Sequence, residues 1–150
     1  MHIVALKSPD SRDHRSVIHP DTVKKIVDLP GVTVSFESGI GNGINISDQT
    51  FIELGLKAIS RDECLSQGSF IITPSSLTIE ESNKIQKGST VLGMLNPFYA
   101  VDELKALNQS RINVVSMEFI PRITRAQKMD VLSSQANLAG YAAVLEAAQH

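Results

Sequence analysis

Short apolar runs alternate with amphipathic stretches along the chain, and this alternation restricts the possible folds more than any other feature. The runs at 2–6, 33–36, 70–73, 90–95 and 113–116 consist mostly of apolar or β-branched residues at consecutive positions, rather than at every second position. The stretches at 20–29, 48–54, 61–67, 78–86 and 100–108 have helical character. Strands that are apolar on both faces and joined through helices indicate a parallel sheet covered on both sides. We therefore predict a three-layer α/β domain, with a mostly parallel sheet and helices on both faces.

Composition excludes several functional classes. The chain has 150 residues, a formal net charge of -2 and an isoelectric point near 6.1, with lysines and arginines scattered rather than clustered. A nucleic-acid-binding domain would need a basic face, so we expect no nucleic-acid partner. The single cysteine cannot form an internal disulfide, which fits a reducing cytoplasm. No apolar run approaches the roughly 20 residues that span a bilayer, so we expect no direct membrane insertion.

A polar segment followed by an apolar helix occupies the last thirty residues. Two arginines, a glutamine and an aspartate lie within 121–130, which is too polar for a core. A helix is predicted from about Asp130, because small and apolar residues recur at spacings of three or four: Leu132, Ala136, Ala139, Ala143 and Ala147. Polar groups of both signs on a loop before a helix suit a small polar ligand. A capped helix with a solvated lead-in is the alternative.

Residues 121–141, PRITRAQKMDVLSSQANLAGY, resemble a segment of the NAD(H)-binding component, the bacterial alpha subunit, of proton-translocating NAD(P) transhydrogenase. The pattern there reads roughly P-R-I-[ST]-R-A-Q-x-x-D-x-L-S-S-x-A-N-x-A-G-Y, and this chain matches it at nearly every fixed position. Weaker similarity extends through Arg15, the Glu-Ser-Gly turn at 37–39 and the segment at 87–90. The wider family includes alanine dehydrogenase, and the resemblance implies a Rossmann-like or flavodoxin-like N-terminal domain.

The resemblance assigns four residues to the nicotinamide end of NAD(H). By that likeness Arg122 and Asp130 pair around the ring, Gln127 hydrogen-bonds the nearby ribose, and Ser133 approaches the carboxamide. Arg125 matches the pattern without an implied ligand contact. The activity implied is hydride transfer between NADH and NADP coupled to proton translocation. The cofactors carry that chemistry, so no catalytic side chain and no metal is implied.

The resemblance also implies an organisation and a set of partners. Residues 1–150 would form a single domain, the N-terminal half of a two-domain NAD(H)-binding subunit. The Rossmann NAD-binding domain, with its glycine-rich turn, is absent from this chain and would supply most cofactor contacts, so we expect the chain alone to be inactive. Expected partners are that domain, a second copy in a homodimer, and the NADP-binding and membrane components. The complex would lie at the cytoplasmic side of the inner membrane.

Two other functions remain open from the sequence. In alanine dehydrogenases, Arg15 would have a lysine and a histidine beside it in a substrate site, but alignment places Thr73 and Asn96 at those positions, and Ser8 replaces a glutamate. Threonine and asparagine cannot perform the acid–base work of amino-acid oxidation, which disfavours an alanine-forming or lysine-forming dehydrogenase and leaves Arg15 structural. The other alternative is a non-catalytic interaction module, whose small-residue helix at 136–148 packs against another helix.

Three further patterns point to no function. Glycines at 39, 41 and 43 follow a strand, but Ile44 occupies the sixth position of the dinucleotide fingerprint and the next helix starts only near residue 48, so we predict a mobile turn. The group Asp10, Asp13, His14 and His19 lacks zinc-site spacing, and we predict a solvated loop. Cys64 lacks a basic neighbour that would activate it, so we predict a small buried or half-buried residue.

Overall fold

The part of the chain that the structure describes contains six strands, which form one parallel sheet. The computed structural model describes residues 1–149. The strands are β1 (His2–Ala5), β2 (Thr33–Glu37), β3 (Lys57–Ile59), β4 (Phe70–Thr73), β5 (Thr90–Gly93) and β6 (Asn113–Ser116). All neighbouring pairs are parallel, and their order is β3-β2-β1-β4-β5-β6. This is the order of the doubly wound Rossmann fold, which confirms the predicted α/β fold class.

Across residues 1–149, six helices connect or follow the strands. They are α1 (Pro20–Val27), α2 (Asp48–Glu53), α3 (Arg61–Gln67), α4 (Ile79–Ser82), α5 (Val101–Gln109) and α6 (Val131–Gln149), with 3₁₀ turns at Asn42–Ile44, Met117–Phe119 and Thr124–Met129. Local sequence sets several starts. Pro20 opens α1, and reciprocal capping boxes open α3, with Ser60 and Glu63, and α4, with Thr78 and Glu81.

Two apolar cores lie on opposite faces of the sheet. On one face, strand residues including Val4, Ile71 and Val91 pack with residues of α3 and α5 such as Leu65 and Leu107. On the other face, α1 and α2 cover a second set, consisting of Ile3, Ala5, Val34 and Phe36 with Val23 and Phe51. The predicted helices on both faces are therefore present, and strands β1 and β4 are buried between them.

The sequence prediction differs from the structure at two elements. The sequence does not indicate strand β3, because its three residues include an exposed lysine and only Ile59 is buried. Helix α4 ends at Ser82, whereas the sequence predicts helical character through residue 86. Asn83 terminates the helix by donating its backbone N–H to the carbonyls of Ile79 and Glu81, and the chain then turns toward β5.

Helix α6 extends away from both cores. Val131 and Leu132 are partly buried, every later described residue is exposed, and the helix chiefly contacts the 3₁₀ turn Met117–Phe119. Its start agrees with the predicted start near Asp130. Within residues 1–149, none of the helices has the length and apolar character required to cross a bilayer.

Candidate functional site

A cavity of about 490 Å³ lies at the carboxyl ends of the central strands. Strands β1 and β4 are adjacent, and their connections leave in opposite directions along the sheet, which is where parallel α/β proteins form a ligand crevice. The walls come from the loop after β1, the ends of β4 and β5, and the first turns of α6. The residues are Arg15, Ser16, Val17, Ile44, Ile72, Thr73, Pro74, Leu92, Gly93, Met94, Met117, Val131 and Gln135.

The cavity is mainly apolar and contains no acid or base free to act. Arg15 is held by Asp13, whose two carboxylate oxygens each accept a 2.8 Å hydrogen bond from the guanidinium. That hydrogen bonding lowers the pKa of Asp13 to about 2. Thr73 is buried and donates its hydroxyl to the carbonyl of Ser75 at 2.8 Å. Arg15 and Thr73 thus share one cavity, with the guanidinium already paired.

Asp130 and Ser133 form the start of α6. Asp130 is 7% exposed; its Oδ1 accepts the backbone N–H of Ser133 at 3.0 Å, and its Oδ2 accepts the Ser133 hydroxyl at 2.6 Å. These hydrogen bonds, with a smaller contribution from the charge of Arg122, lower the pKa of Asp130. The carboxylate is therefore ionised near neutral pH and caps the helix.

Arg122 and Gln127 lie on the same segment with their side chains exposed to solvent. Gln127 is within the 3₁₀ turn Thr124–Met129, and its backbone carbonyl accepts the N–H of Asp130 at 3.4 Å. Among residues 1–149, neither side chain forms a hydrogen bond, and Arg122 forms no ion pair with Asp130. The structure therefore brings Asp130 and Ser133 together, and leaves Arg122 and Gln127 available at the surface.

The predicted cofactor residues lie beside the cavity rather than on its wall. None of the four lines it, but Val131 and Gln135, which flank Ser133 on α6, do. The resemblance that marks the four cofactor residues does not mark these two. Their spacing of four places them on one helix face, and that periodicity is the signal that could have found them.

An ion network at the ends of β2 and β3 is also not indicated by the sequence. Arg61 donates to Glu37 at 2.8 Å, to Glu81 at 2.5 Å and to the Lys7 carbonyl at 3.1 Å. Glu37 is buried, and the Lys7 backbone N–H donates to it at 3.1 Å. The partners are 20 to 54 residues apart in sequence, so no local pattern could indicate them.

Asn96 is separate from the cavity wall. It has a left-handed backbone with φ of 49°, and its N–H donates to Glu118 at 2.7 Å. Of Thr73 and Asn96, the two positions expected from the sequence to replace a dehydrogenase lysine and histidine, only Thr73 lines the cavity.

The glycine pattern at 39–43 has a packing role. A Cβ atom at Gly41 would come within 2.3 Å of the Ile46 carbonyl oxygen, and one at Gly43 within 2.4 Å of the His14 carbonyl oxygen. The approach at Gly41 closes the turn after β2 on itself, and the approach at Gly43 packs that turn against the loop after β1. The predicted turn is present, and its glycines serve backbone contact within the protein.

The remaining candidates have ordinary surroundings. Asp10 pairs with Arg12, as Asp13 pairs with Arg15. Across the described residues, no three His, Cys, Asp or Glu side chains are grouped as a metal site requires. Cys64 is buried, as predicted, and burial together with the charge of Glu37 raises the pKa of its thiol to about 12.

Comparison with known proteins identifies a family. The family model "Alanine dehydrogenase/PNT, N-terminal domain" matches residues 7–139. The first part of NAD(P) transhydrogenase subunit alpha from Rickettsia prowazekii (strain Madrid E) is 37% identical over 155 residues, which cover 100% of this chain and 40% of that protein. The protein of the same name from Rhodospirillum rubrum is 36% identical over 154 residues, with coverages of 99% and 40%.

Solved structures of other proteins have the same fold as this chain. The crystal structure of transhydrogenase from Sinorhizobium meliloti superposes with a TM-score of 0.92 at 33% identity, covering 99% of this chain and 44% of that one. An L-alanine dehydrogenase shares the fold. It is 21% identical and superposes with a TM-score of 0.73, covering 80% of this chain and 33% of that one. The chain spans about 40% of the length of the curated relatives named above. The chain belongs to the alanine dehydrogenase/PNT N-terminal domain family, and alpha subunits of NAD(P) transhydrogenase are among its homologues.

Proposed function

We propose that this chain is the N-terminal domain of the NAD(H)-binding component of an NAD(P) transhydrogenase. In that role it supplies the segment 121–133, which contacts the nicotinamide end of NAD(H). The complete enzyme passes hydride between NADH and NADP, coupled to proton translocation. The observation that carries the proposal is similarity to transhydrogenase alpha subunits over 99–100% of the chain.

The side chains of the segment fit a nicotinamide nucleotide. Asp130 and Ser133 are fixed to each other, which gives the segment a rigid polar centre at the start of α6. Gln127 presents an exposed amide that can both donate and accept, as a ribose hydroxyl requires. Arg122 presents an exposed cation beside that centre. These polar groups suit a ring that carries a carboxamide and an attached sugar.

In this proposal, the rest of the dinucleotide is held outside residues 1–149. The glycines after β2 pack against protein backbone, and the loop at 7–19 after β1 has no glycine. A phosphate-binding turn needs both a glycine-rich loop and a helix that begins on it. We therefore assign the pyrophosphate and adenine contacts to the region of the longer relatives that this chain does not span.

The proposed reaction needs positioning rather than proton transfer. Bound NAD(H) supplies the hydride chemistry, and the role of this domain is to orient the ring and exclude water beside it. The cavity fits such a role, since its walls are mainly apolar and Arg15 is neutralised by Asp13. An amino-acid dehydrogenase would need an acid–base pair there, whereas Thr73 contributes only a hydroxyl that is already hydrogen-bonded.

The proposed partners follow from the same assignment. The domain would act with the second NAD(H)-binding domain, with a second copy of the subunit, and with NADP-binding and membrane components at the inner membrane. Helix α6, which is apolar and exposed, is the surface that we assign to contact with the second domain.

Isotope transfer tests the proposed function in the full-length subunit combined with its NADP-binding component. NADH carrying two deuterium atoms at C4 is mixed with NADP⁺, and the NADPH formed is analysed by mass spectrometry. We expect the label to appear in NADPH, because direct transfer does not exchange with water. Absence of NADPH formation, or loss of the label to solvent, would contradict the proposal.

Substitution tests the assigned segment. Gln127→Ala is expected to weaken NADH binding about fivefold, because one hydrogen bond between uncharged groups contributes about 1 kcal/mol to binding. Gln49→Ala is the matched control, since Gln49 is an exposed glutamine on α2 that hydrogen-bonds only Glu53. Equal NADH affinity in the two variants would remove Gln127 from the site.

A further inference from the structure

Glu118 joins the ends of strands β5 and β6. Its Oε1 accepts the backbone N–H of Asn96 at 2.7 Å, and its Oε2 accepts the backbone N–H of Leu95 at 3.2 Å. The Ser116 hydroxyl also donates to Oε2, at 2.5 Å. Both carboxylate oxygens are therefore occupied by donors from two neighbouring segments, and Asn96 keeps a left-handed backbone at this point.

A second contact reinforces the same connection. Phe98, in the loop after β5, and Phe119, in the 3₁₀ turn after β6, meet edge to face with ring centroids 5.8 Å apart. Both rings are more than half exposed, so burial contributes little to fixing them. The carboxylate of Glu118 is thus the main directional link between the two loops.

The 3₁₀ turn that contains Glu118 leads directly into the proposed cofactor segment. Met117 lines the cavity, and the turn Met117–Phe119 is the principal contact of α6. Two residues after Phe119 the segment 121–133 begins. Any rotation or shift of the turn would therefore move Asp130 and Ser133 relative to the sheet.

We propose that Glu118 is a positioning residue for hydride transfer, which holds the segment 121–133 at a fixed height above the carboxyl edge of the sheet. The inference rests on the proposed function and extends it to a residue that contacts no cofactor. Burial alone would raise the pKa of Glu118, but hydrogen bonds from Ser116 and from the backbone of Asn96 and Leu95 lower it, so the carboxylate is ionised near neutral pH.

Only a carboxylate can satisfy this arrangement. Two backbone N–H groups approach different oxygens of Glu118, so a glutamine would place an NH₂ group against one of them. The loop after β5 would have to move away from the turn. Hydride transfer falls steeply with small misplacement, and a shift of about 1 Å can cost about 100-fold in rate. Most NADH contacts lie elsewhere, so affinity should change little.

The test compares Glu118→Gln with wild type in the full-length subunit combined with its NADP-binding component. We expect kcat for hydride transfer to fall about 10- to 100-fold, while KM for NADH stays within about twofold. Asp48→Asn is the matched control. Asp48 is also half-buried and accepts a backbone N–H, from Gly39, and a hydroxyl, from Ser38, but at the end of β2. This variant should retain wild-type kcat.

The outcomes separate this inference from the proposed function. If wild type transfers no hydride, the proposed function fails. If wild type is active and Glu118→Gln keeps its kcat, or loses kcat and NADH affinity equally, only the positioning role is overturned. Should Glu118→Gln fail to fold, Ser116→Ala removes one donor and leaves the backbone hydrogen bonds in place. Its kcat should then fall about 2- to 5-fold at constant KM, and an unchanged kcat would overturn the role.

Discussion

The Ser133 hydroxyl donates a hydrogen bond to Oδ2 of Asp130 at 2.6 Å, while the Ser133 backbone N–H donates to Oδ1. A hydroxyl whose hydrogen is engaged by a carboxylate presents its lone pairs to other groups. In the proposed site, Ser133 would therefore accept from the NH₂ of the nicotinamide carboxamide. Asp130 would act by setting the direction of that hydroxyl.

Asp130→Asn separates this role from helix capping. Asparagine is as good a helix cap as aspartate, so the thermal midpoint of unfolding should not change. The NH₂ group of the new asparagine would donate to the Ser133 oxygen, so the Ser133 hydroxyl would point away from residue 130. We therefore expect about tenfold weaker NADH binding in the full-length subunit. NADH fluorescence titration measures the affinity, with Asp102→Asn, at the start of α5, as control. A lowered thermal midpoint with unchanged affinity would show that Asp130 only caps the helix.

Arg61→Ala should destabilise the domain strongly. Glu37 is buried and would lose the guanidinium that neutralises it. Removing one partner of a buried ion pair lowers the free energy of unfolding by about 3 kcal/mol. Lys84→Ala is the control, because Lys84 and Asp62 also connect the α3 and α4 region but are both exposed. The midpoint of urea denaturation should fall strongly in Arg61→Ala and should not change in Lys84→Ala. Equal shifts would mean that the network contributes little.

Acid titration should reveal the pairing of Arg15 with Asp13. The pKa of Asp13 is lowered from 3.8 to about 2 in the folded state. A lowered carboxyl pKa stabilises the fold above the unfolded value, and this contribution is lost as the pH falls through the folded value. Wild type should therefore exceed Asp13→Asn in stability by a constant amount above about pH 4, and the difference should vanish between about pH 4 and about pH 2. A difference that persists at still lower pH would contradict the pairing.

Two glycine substitutions should have opposite effects. A Cβ at Gly93 would lie 2.1 Å from the Thr73 carbonyl oxygen, so Gly93→Ala would push β5 away from β4 and cost about 1–3 kcal/mol. Gly140 lies within α6 with no atom near its added Cβ, so Gly140→Ala should stabilise the isolated chain by about 0.5–1 kcal/mol. Chemical denaturation measures both. A destabilised Gly140→Ala would show that another surface already packs closely there.

Helix α6 should drive self-association of the isolated chain. Leu138, Tyr141 and Leu145 are exposed and recur at spacings of three and four, which places them on one face. The small residues Ala136, Ala139 and Ala143 occupy the opposite face, so the helix exposes a large apolar face and a face of small residues. Sedimentation should detect dimers or larger species that Leu145→Glu abolishes. The exposed substitution Gln49→Glu on α2 should leave them intact, and a monomeric wild type would contradict the expectation.

The sequence predicts most of the sheet because burial on both faces leaves a continuous apolar signal. Strands β1, β2, β4 and β5 have that signal. Strand β6 contains the apolar pair Val114 and Val115, although both are exposed in the structure, whereas β3, with Lys57 exposed at its start, has no such run. The start of α6 is predictable from Asp130 and the serines after it, since capping is a local interaction. The cavity and the Arg61 network are not predictable, because each joins side chains from distant segments whose proximity depends on strand order.

Strand order also has a consequence for how the chain reaches its native state. Strand β1 pairs with residues 33–36 on one side and with residues 70–72 on the other, so the centre of the sheet forms only after a long segment closes. Beyond β4, each new strand adds to the outer edge of the one before. Because closing long loops slows folding, we expect the pairing of β4 with β1 to limit the folding rate. Strands β5 and β6 would then be added in the order of their synthesis.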